Sequence, residues 1–221
     1  MSVLVYVGAN EGNSLSGMVH GYDRVFAFEP DPVTYQTLVS RLGNNIHVSL
    51  INSACGEEFG EAEFNILPCR AASSMSVPAE DFLEHCRKEG VEDNVRVAET
   101  ITVPTINLCK YLQDQGVTHI DMYVSDIQGY DLTVLKTMKP FIEAGEIDRL
   151  QLETHGDNQK CYVGLTNDLS SFKELLSENY EIDYISLGRL NNRRVSEEGL
   201  EAMPNQNDKG ELEFDVTWKL K

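Results

Sequence analysis

The chain lacks any run of 18 apolar residues, so no segment of it reads as a transmembrane helix. It also lacks a leader pattern, because the apolar run Val3–Val7 is short and leads directly into a glycine loop. Basic residues are scarce: 18 Lys and Arg stand against 36 Asp and Glu, a net charge of −18. Such a surface repels phosphate backbones, so nucleic acid is not expected as a partner, and neither is a membrane. Arg189, Arg193 and Arg194 form the one basic cluster and read as a solvated turn. Cysteine is sparse and unpatterned. The five (Cys55, Cys69, Cys86, Cys109 and Cys161) are odd in number and contain no C-x-x-C pair. That spacing fits neither a disulfide framework nor a zinc site, and the five read as free thiols in a reducing, cytoplasmic compartment.

What is present is ordinary globular composition, 41% hydrophobic and 24% charged over 221 residues, enough for one domain with a substantial core. Val3–Val7 is a β-branched run ended by Gly8, and reads as a buried parallel strand. Gly8 to Gly12 is a turn, after which Asn13 or Ser14 caps a short helix. Arg24–Glu29 is a second strand stopped by Pro30. Asp31 then suits an N-cap and Pro32 the first helical position, with Tyr35, Leu38, Val39 and Leu42 at helical spacing. His47–Ile51 is a third strand.

Beyond it the pattern predicts a strand over Ala62–Leu67, a loop over Ala71–Val77, a helix over Ala79–Lys88 and an extended stretch over Val95–Val103. The region from about 60 to 104 reads as an insertion over the strand ends, where substrate-selecting elements sit. Then follow a helix over Ile106–Gln115, a strand over Ile120–Val124, a helix over Tyr130–Met138 that runs up to Pro140, a strand over Arg149–Glu153 and a helix over Leu169–Leu176. Two last strands, Tyr180–Leu187 and Leu212–Leu220, are expected to pair antiparallel at the sheet edge. The alternation is that of a doubly wound, Rossmann-like α/β sheet, mostly parallel, in a single domain spanning residues 1–221. The first strand starts at residue 3, where this architecture usually has a preceding helix. That leaves two readings, a minimal domain or a piece of a larger polypeptide.

In such a sheet ligands bind beyond the carboxyl ends of the strands. Four segments should meet there. Gly8, Ala9, Asn10 and Gly12 let a ligand approach the backbone, and Ser14 opens the helix behind them. Glu29, 17 residues beyond Gly12, is placed to accept ribose hydroxyl protons, with Pro30 and Asp31 beside it. Asn52, Ser53 and Ala54 follow the third strand, near an adenine. Ser125 and Asp126 follow the next parallel strand, near the reactive end of a nucleoside. Each piece has a structural alternative: Glu29 and Asp126 are equally placed to cap helices.

Together these residues carry a family resemblance. VLVYVGANEG (Val3 to Gly12), VFAFEPDPVTYQTL (Val25 to Leu38), NSACGEEFGEAEF (Asn52 to Phe64), ITVPTINLCKYL (Ile101 to Leu112), IDMYVSDIQGYDLTVL (Ile120 to Leu135) and LQLETH (Leu150 to His155) resemble the motifs of FkbM-type methyltransferases. The resemblance implies a seven-stranded sheet with an antiparallel last strand, S-adenosylmethionine as cofactor, and O-methylation of a sugar, glycan or similar small hydroxylated metabolite. The chain departs from the pattern at Tyr6, where the family has an acid, at Val124, where it has lysine, and at Gln128, where it has glutamate.

Methyl transfer is an in-line displacement that leaves a proton to be removed from the acceptor, so a base or a metal is expected. Asp126 is the first candidate base and His155 the second, with a structural role for His155 as the alternative. Asp126, Glu153 and His155 together form a candidate Mg²⁺ site. Two rival functions are a non-catalytic cofactor-binding module and a nicotinamide-dependent oxidoreductase, the latter disfavoured because the loop reads GANEG and not G-x-G-x-x-G. If the chain is a piece of a larger protein, glycosyltransferase domains are the expected companions.

Overall fold

The computed structural model describes residues 1–157, 160–187, 193–201 and 213–221. In chain order the elements are β1 (Val3–Val7), α1 (Asn13–Ser16), β2 (Arg24–Phe28), α2 (Pro32–Leu42), β3 (Val48–Ile51), β4 (Ala54–Gly56), β5 (Gly60–Ile66), α3 (Glu80–Lys88), β6 (Glu99–Asn107), α4 (Leu108–Asp114), β7 (Met122–Ser125), α5 (Asp131–Thr137), α6 (Lys139–Glu143), β8 (Arg149–His155), α7 (Leu169–Leu176), β9 (Tyr180–Leu187), β10 (Arg193–Val195), α8 (Glu197–Glu201) and β11 (Glu213–Leu220).

The main sheet runs β10-β9-β11-β8-β7-β1-β2-β3. Strands β3, β2, β1, β7 and β8 are mutually parallel, and β11 is antiparallel to both β8 and β9. The mostly parallel α/β sheet therefore stands, with eight strands where seven were expected. The eighth is β10, three residues paired with Ile185–Leu187. Its Arg193 and Arg194 are strand residues, and the Arg194 guanidinium lies 4.2 Å from the Tyr184 ring centroid. They are thus not in a turn, while Arg189 and Leu212 lie outside the described residues. The antiparallel partners β9 and β11 do pair, but β11 slots between β8 and β9, so the sheet edge is β10.

Alternation along the strands builds two cores. Val3, Val5 and Val7, Phe26 and Phe28, Tyr123, Leu150 and Leu152 face one way, against Leu112, Leu132, Leu135, Phe172 and Leu176 of α4, α5 and α7. Leu4, Tyr6, Val25, Ala27 and Val124 face the other, against Leu15, Val19, Leu38 and Leu42. Each such fully buried side chain contributes about 1.5–3 kcal/mol. Three helices start where a side chain caps them: Asp31 accepts from the Val33 N–H, Asn107 from Lys110 and Asp168 from Ser171.

The segment from 60 to 104 folds as β5, α3 and most of β6, and with β4 it makes a second, three-stranded sheet. β6 runs on to Asn107 because Thr105–Asn107 pair with β4, so the helix expected from Ile106 starts two residues later. The helix expected over Tyr130–Met138 is α5, and a further short helix, α6, follows it at Pro140. α5 stops at Thr137, and α6 takes the proline in its first turn, where no N–H is missed.

Two loops meet where β1 and β7 end side by side. Gly8 has φ +80°, and a Cβ there would stand 2.0 Å from the Asp126 carbonyl oxygen. Gly116 has a similar φ of +70° but open space around it. Gly8→Ala should therefore cost at least about 3 kcal/mol in urea unfolding, against about 1–2 kcal/mol for Gly116→Ala. Equal losses would mean that the two loops part without cost.

Candidate functional site

A cleft of about 230 Å³ opens over the carboxyl ends of β1, β2 and β7. Of the residues named from sequence, Gly8, Ala9, Asn10, Ser14, Glu29, Pro30, Ser53, Ala54 and Asp126 line it. Gly12, Asp31, Asn52 and Ser125 stand just behind, each with a visible task. Gly12, at φ +78°, is the turn before α1, and a Cβ on it would meet Leu38 at 2.7 Å. Asp31 caps α2. The Asn52 amide donates to the carbonyls of Glu29 (2.8 Å) and Pro30 (3.1 Å), tying β3 to β2. The Ser125 hydroxyl donates to buried Asp131 at 2.5 Å.

Glu29 is held at the mouth of the turn. Its two carboxyl oxygens accept the N–H groups of Asn10 and Asp31, both at 2.9 Å. Burial nevertheless raises it to about 7, against the pull of those two donors. Asp31 goes the other way. Burial pushes it up, but the Thr34 hydroxyl, the Arg70 guanidinium and the Val33 N–H outweigh that and leave it below the ordinary carboxylate range. Arg70 pairs with Asp31 and lines the cleft from the 60–104 segment. Sequence reasoning passed over it, although it is the one Lys or Arg between Arg41 and Arg87. Phe64, Met75, Thr34 and Tyr130 also line the cleft without a sequence signal, since nothing local marks which core-type side chains face a cavity.

Asp126 is exposed to the cleft and does not cap α5, which Tyr130 precedes instead. Its oxygen accepts from the Gln128 side-chain amide at 2.8 Å. The same nitrogen donates to Glu153 at 2.8 Å, and the amide oxygen accepts from the Tyr162 hydroxyl at 2.7 Å. Gln128 makes these bonds from a left-handed backbone, φ 57°, a conformation costly for a non-glycine residue. Ser74 fastens its carbonyl at 3.0 Å. Gly129 follows at φ +89°, directly under the Tyr162 ring.

The neutral amide thus holds two carboxyls that would otherwise repel. Glu153 is pushed well above its ordinary range, first by burial and then by the Asp126 charge. Asp126 is also raised, by the enclosing protein. Both are shifted upward and Glu153 the more strongly, so cleft-facing Asp126 is the first of the two to ionise. Tyr6, where the sequence pattern called for an acid, lines the same wall. Burial and then Asp126 push its phenol up to about 12, so it stays neutral. Asp215, on β11 opposite Glu153, is lifted to about 6 by burial and by Asp126.

His155 is elsewhere. It does not line the cleft, is 3% exposed, and stacks on Tyr162 with ring centroids 6.0 Å apart. Burial lowers it to about 4, so it is neutral. The expected convergence of Asp126, Glu153 and His155 on one cation is not seen among the described residues. The Gln128 amide already links the two carboxyls, and the imidazole points to Cys161 and Glu213 instead.

The sequence matches the family model "Methyltransferase FkbM domain" over residues 7–185. No curated protein matches it. Among solved structures it is similar to SMU.1697c of Streptococcus mutans, assigned as a methyltransferase and solved in complex with SAH. The identity is 14% and the TM-score 0.50, with 100% of this chain and 89% of the other covered. Two rRNA methylases, from Clostridium thermocellum (9% identity) and Streptococcus thermophilus (11%), each give a TM-score of 0.48 with 99% of this chain and 86% of theirs covered. At these identities the likeness is one of fold.

The raised carboxyls bear on stability. In the folded chain Asp215 keeps its proton up to about pH 6, whereas the unfolded chain releases it near pH 4. The unfolded state therefore binds fewer protons in that window, and stability falls as pH rises from about 4 to about 6. Asp215→Asn should remove its share of that slope in chemical unfolding across pH. An unchanged slope would place the proton uptake elsewhere.

Proposed function

The chain belongs to the FkbM methyltransferase domain family, and from that premise we propose that it binds S-adenosylmethionine in the cleft and methylates a hydroxyl of a sugar, glycan or similar small metabolite. The observation that carries this reading is the cleft-facing carboxylate of Asp126, set beside a glycine turn that brings bare backbone to the ends of β1 and β7.

Several features fit the cofactor. Gly8, Ala9 and Asn10 line the cleft with little side chain between them, which suits a ligand lying against the backbone. Glu29, buried at the end of β2, presents carboxyl oxygens with lone pairs beyond those used by Asn10 and Asp31, suited to ribose hydroxyls. Ser53 and Ala54 offer a small-residue wall for a flat base, with Pro30 alongside. The bound cofactor supplies an electrophilic methyl group on a sulfonium. Asp126 orients the acceptor hydroxyl and takes its proton as the new oxygen–carbon bond forms. Gln128 fixes the Asp126 carboxylate, and protonated Glu153 lets that charge persist in an enclosed site. The mechanism asks nothing of a Mg²⁺ ion, and His155 has no part in the proton transfer.

The 60–104 segment, which lends Phe64, Arg70, Ala71, Ser73 and Met75 to the cleft, is the natural acceptor-selecting wall of a single domain. The net charge of −18 and the scarcity of basic side chains favour a neutral or cationic acceptor over nucleic acid. Five cysteines with no disulfide among them suit a cytoplasmic setting.

Calorimetric titration with S-adenosylmethionine and its demethylated product should show saturable binding, with none for NAD. With a hydroxyl acceptor found from a sugar panel, Asp126→Asn should lower kcat by about 10²–10⁴-fold. Absence of binding would overturn the cofactor assignment. Binding without turnover on any hydroxyl would favour the non-catalytic module.

A further inference from the structure

Behind the cleft, β8 ends in His155, the following loop carries Cys161, and β11 begins at Glu213. The imidazole nitrogen, the thiol sulfur and a carboxylate oxygen of these three all lie within 4.8 Å of one another. His155 and Cys161 are 3% and 2% exposed. The His155 Nε2–Glu213 Oε1 separation is 3.7 Å. Donor atoms around a tetrahedral zinc stand about 3.3–3.7 Å apart, given metal–ligand bonds of about 2.0–2.3 Å. One edge of such a site is already made, and the sulfur lies within 4.8 Å of both other donors. Among the described residues the Nε2 atom has no hydrogen-bond partner, an unusual state for a buried ring nitrogen. It faces the Glu213 carboxylate.

We propose that His155, Cys161 and Glu213 form a binding site for a borderline-soft divalent cation, Zn²⁺ in the first instance. A thiol and an imidazole select against Mg²⁺ and Ca²⁺, which take oxygen ligands. As the metal–sulfur bond forms, the Cys161 proton passes to solvent, and the imidazole binds through Nε2 as the neutral ring. Three protein ligands leave a fourth position, on the side of partly exposed Glu213.

The place of this site in the fold gives it a consequence. Cys161 immediately precedes Tyr162, whose hydroxyl donates to Gln128 and whose ring packs over Gly129. A metal there would pin the 160–165 loop to the ends of β8 and β11. It would thereby stiffen the hydrogen bonds that aim Asp126, acting as an outer clamp and not as a Lewis acid in the cleft.

The test does not depend on methyl transfer. Full-length protein stripped with chelator is titrated with Co²⁺ and followed by absorbance, then with Zn²⁺ by calorimetry. One equivalent of Co²⁺ should produce a thiolate-to-cobalt charge-transfer band and tetrahedral d–d bands, displaced by Zn²⁺. Cys161→Ser should abolish the thiolate band and His155→Gln the one-to-one Zn²⁺ binding. Cys69→Ser, at an exposed cysteine away from the cluster, should leave both unchanged. If Cys161→Ser fails to fold, the loss of binding in Glu213→Gln and its retention in Cys69→Ser serve instead. Absence of a thiolate band in the wild type, or its persistence in Cys161→Ser, would overturn the site.

Discussion

Two neighbouring parallel strands, β1 and β7, end in register, Val7 beside Ser125, and the chain leaves them toward opposite faces of the sheet. That divergence opens the cleft, since no loop crosses from one strand end to the other. The Gly8 turn and the Asp126 carbonyl must then pass at a distance that admits hydrogen but not a methyl group. With any other residue at position 8 the loops would part, and Asp126 would no longer border the wall that carries Glu29 and Ser14. The rest of the site hangs on this contact. α1 starts where the Gly8–Gly12 turn releases it, and Gln128 is in reach of Asp126 because the β7 loop is pressed down on β1.

The second constraint is charge. Glu29, Asp126, Asp131, Glu153 and Asp215 crowd the strand ends of an acidic chain, and among the described residues none of the five pairs with a guanidinium, as Asp31 nearby does. Each of the others is accommodated differently. Glu29 takes two backbone N–H groups. Asp131, lifted to about 7 by burial, takes the Ser125 hydroxyl and the Ile127 N–H. Asp126 and Glu153 share one amide. Neutral donors keep the carboxyls apart in ionisation, and of the shared pair Asp126 is the first to ionise. A lysine or a glutamate at the position of Gln128 would change that balance. The amide donates to two acids and accepts from a phenol at once, which neither alternative can do.

Much of this was legible in the sequence because it is local. β-branched runs broken by glycine located β1 and β2, and Asp31-Pro32 marked the start of α2. The glycine turn, Glu29 and the Ser125-Asp126 segment each fell at the end of a strand read from the hydrophobic pattern, and the cleft lies there. The failures share one cause as well. β10 is held by backbone pairing to β9 at a sheet edge, with Val195 alone of its three residues packed on the core, too little to leave a periodic trace. The extension of β6 to Asn107 depends on β4, whose paired residues lie 51 positions earlier in the sequence. Arg70 reaches Asp31 only because the 60–104 segment folds back over β2.

Side-chain identity therefore determined the strands, the helix starts, the glycine turn and the family, since these depend on steric and hydrogen-bonding preferences within a few residues. Only the folded chain decided which polar atoms meet. Alternation put Glu153 and His155 on one face of β8, yet it could not say that the first would share an amide with Asp126 while the second turned to Cys161 and Glu213. Those partners come from separate loops and strands, and their distances depend on how the sheet twists and which loop closes over which. Packing settles both, and no short-range rule encodes either.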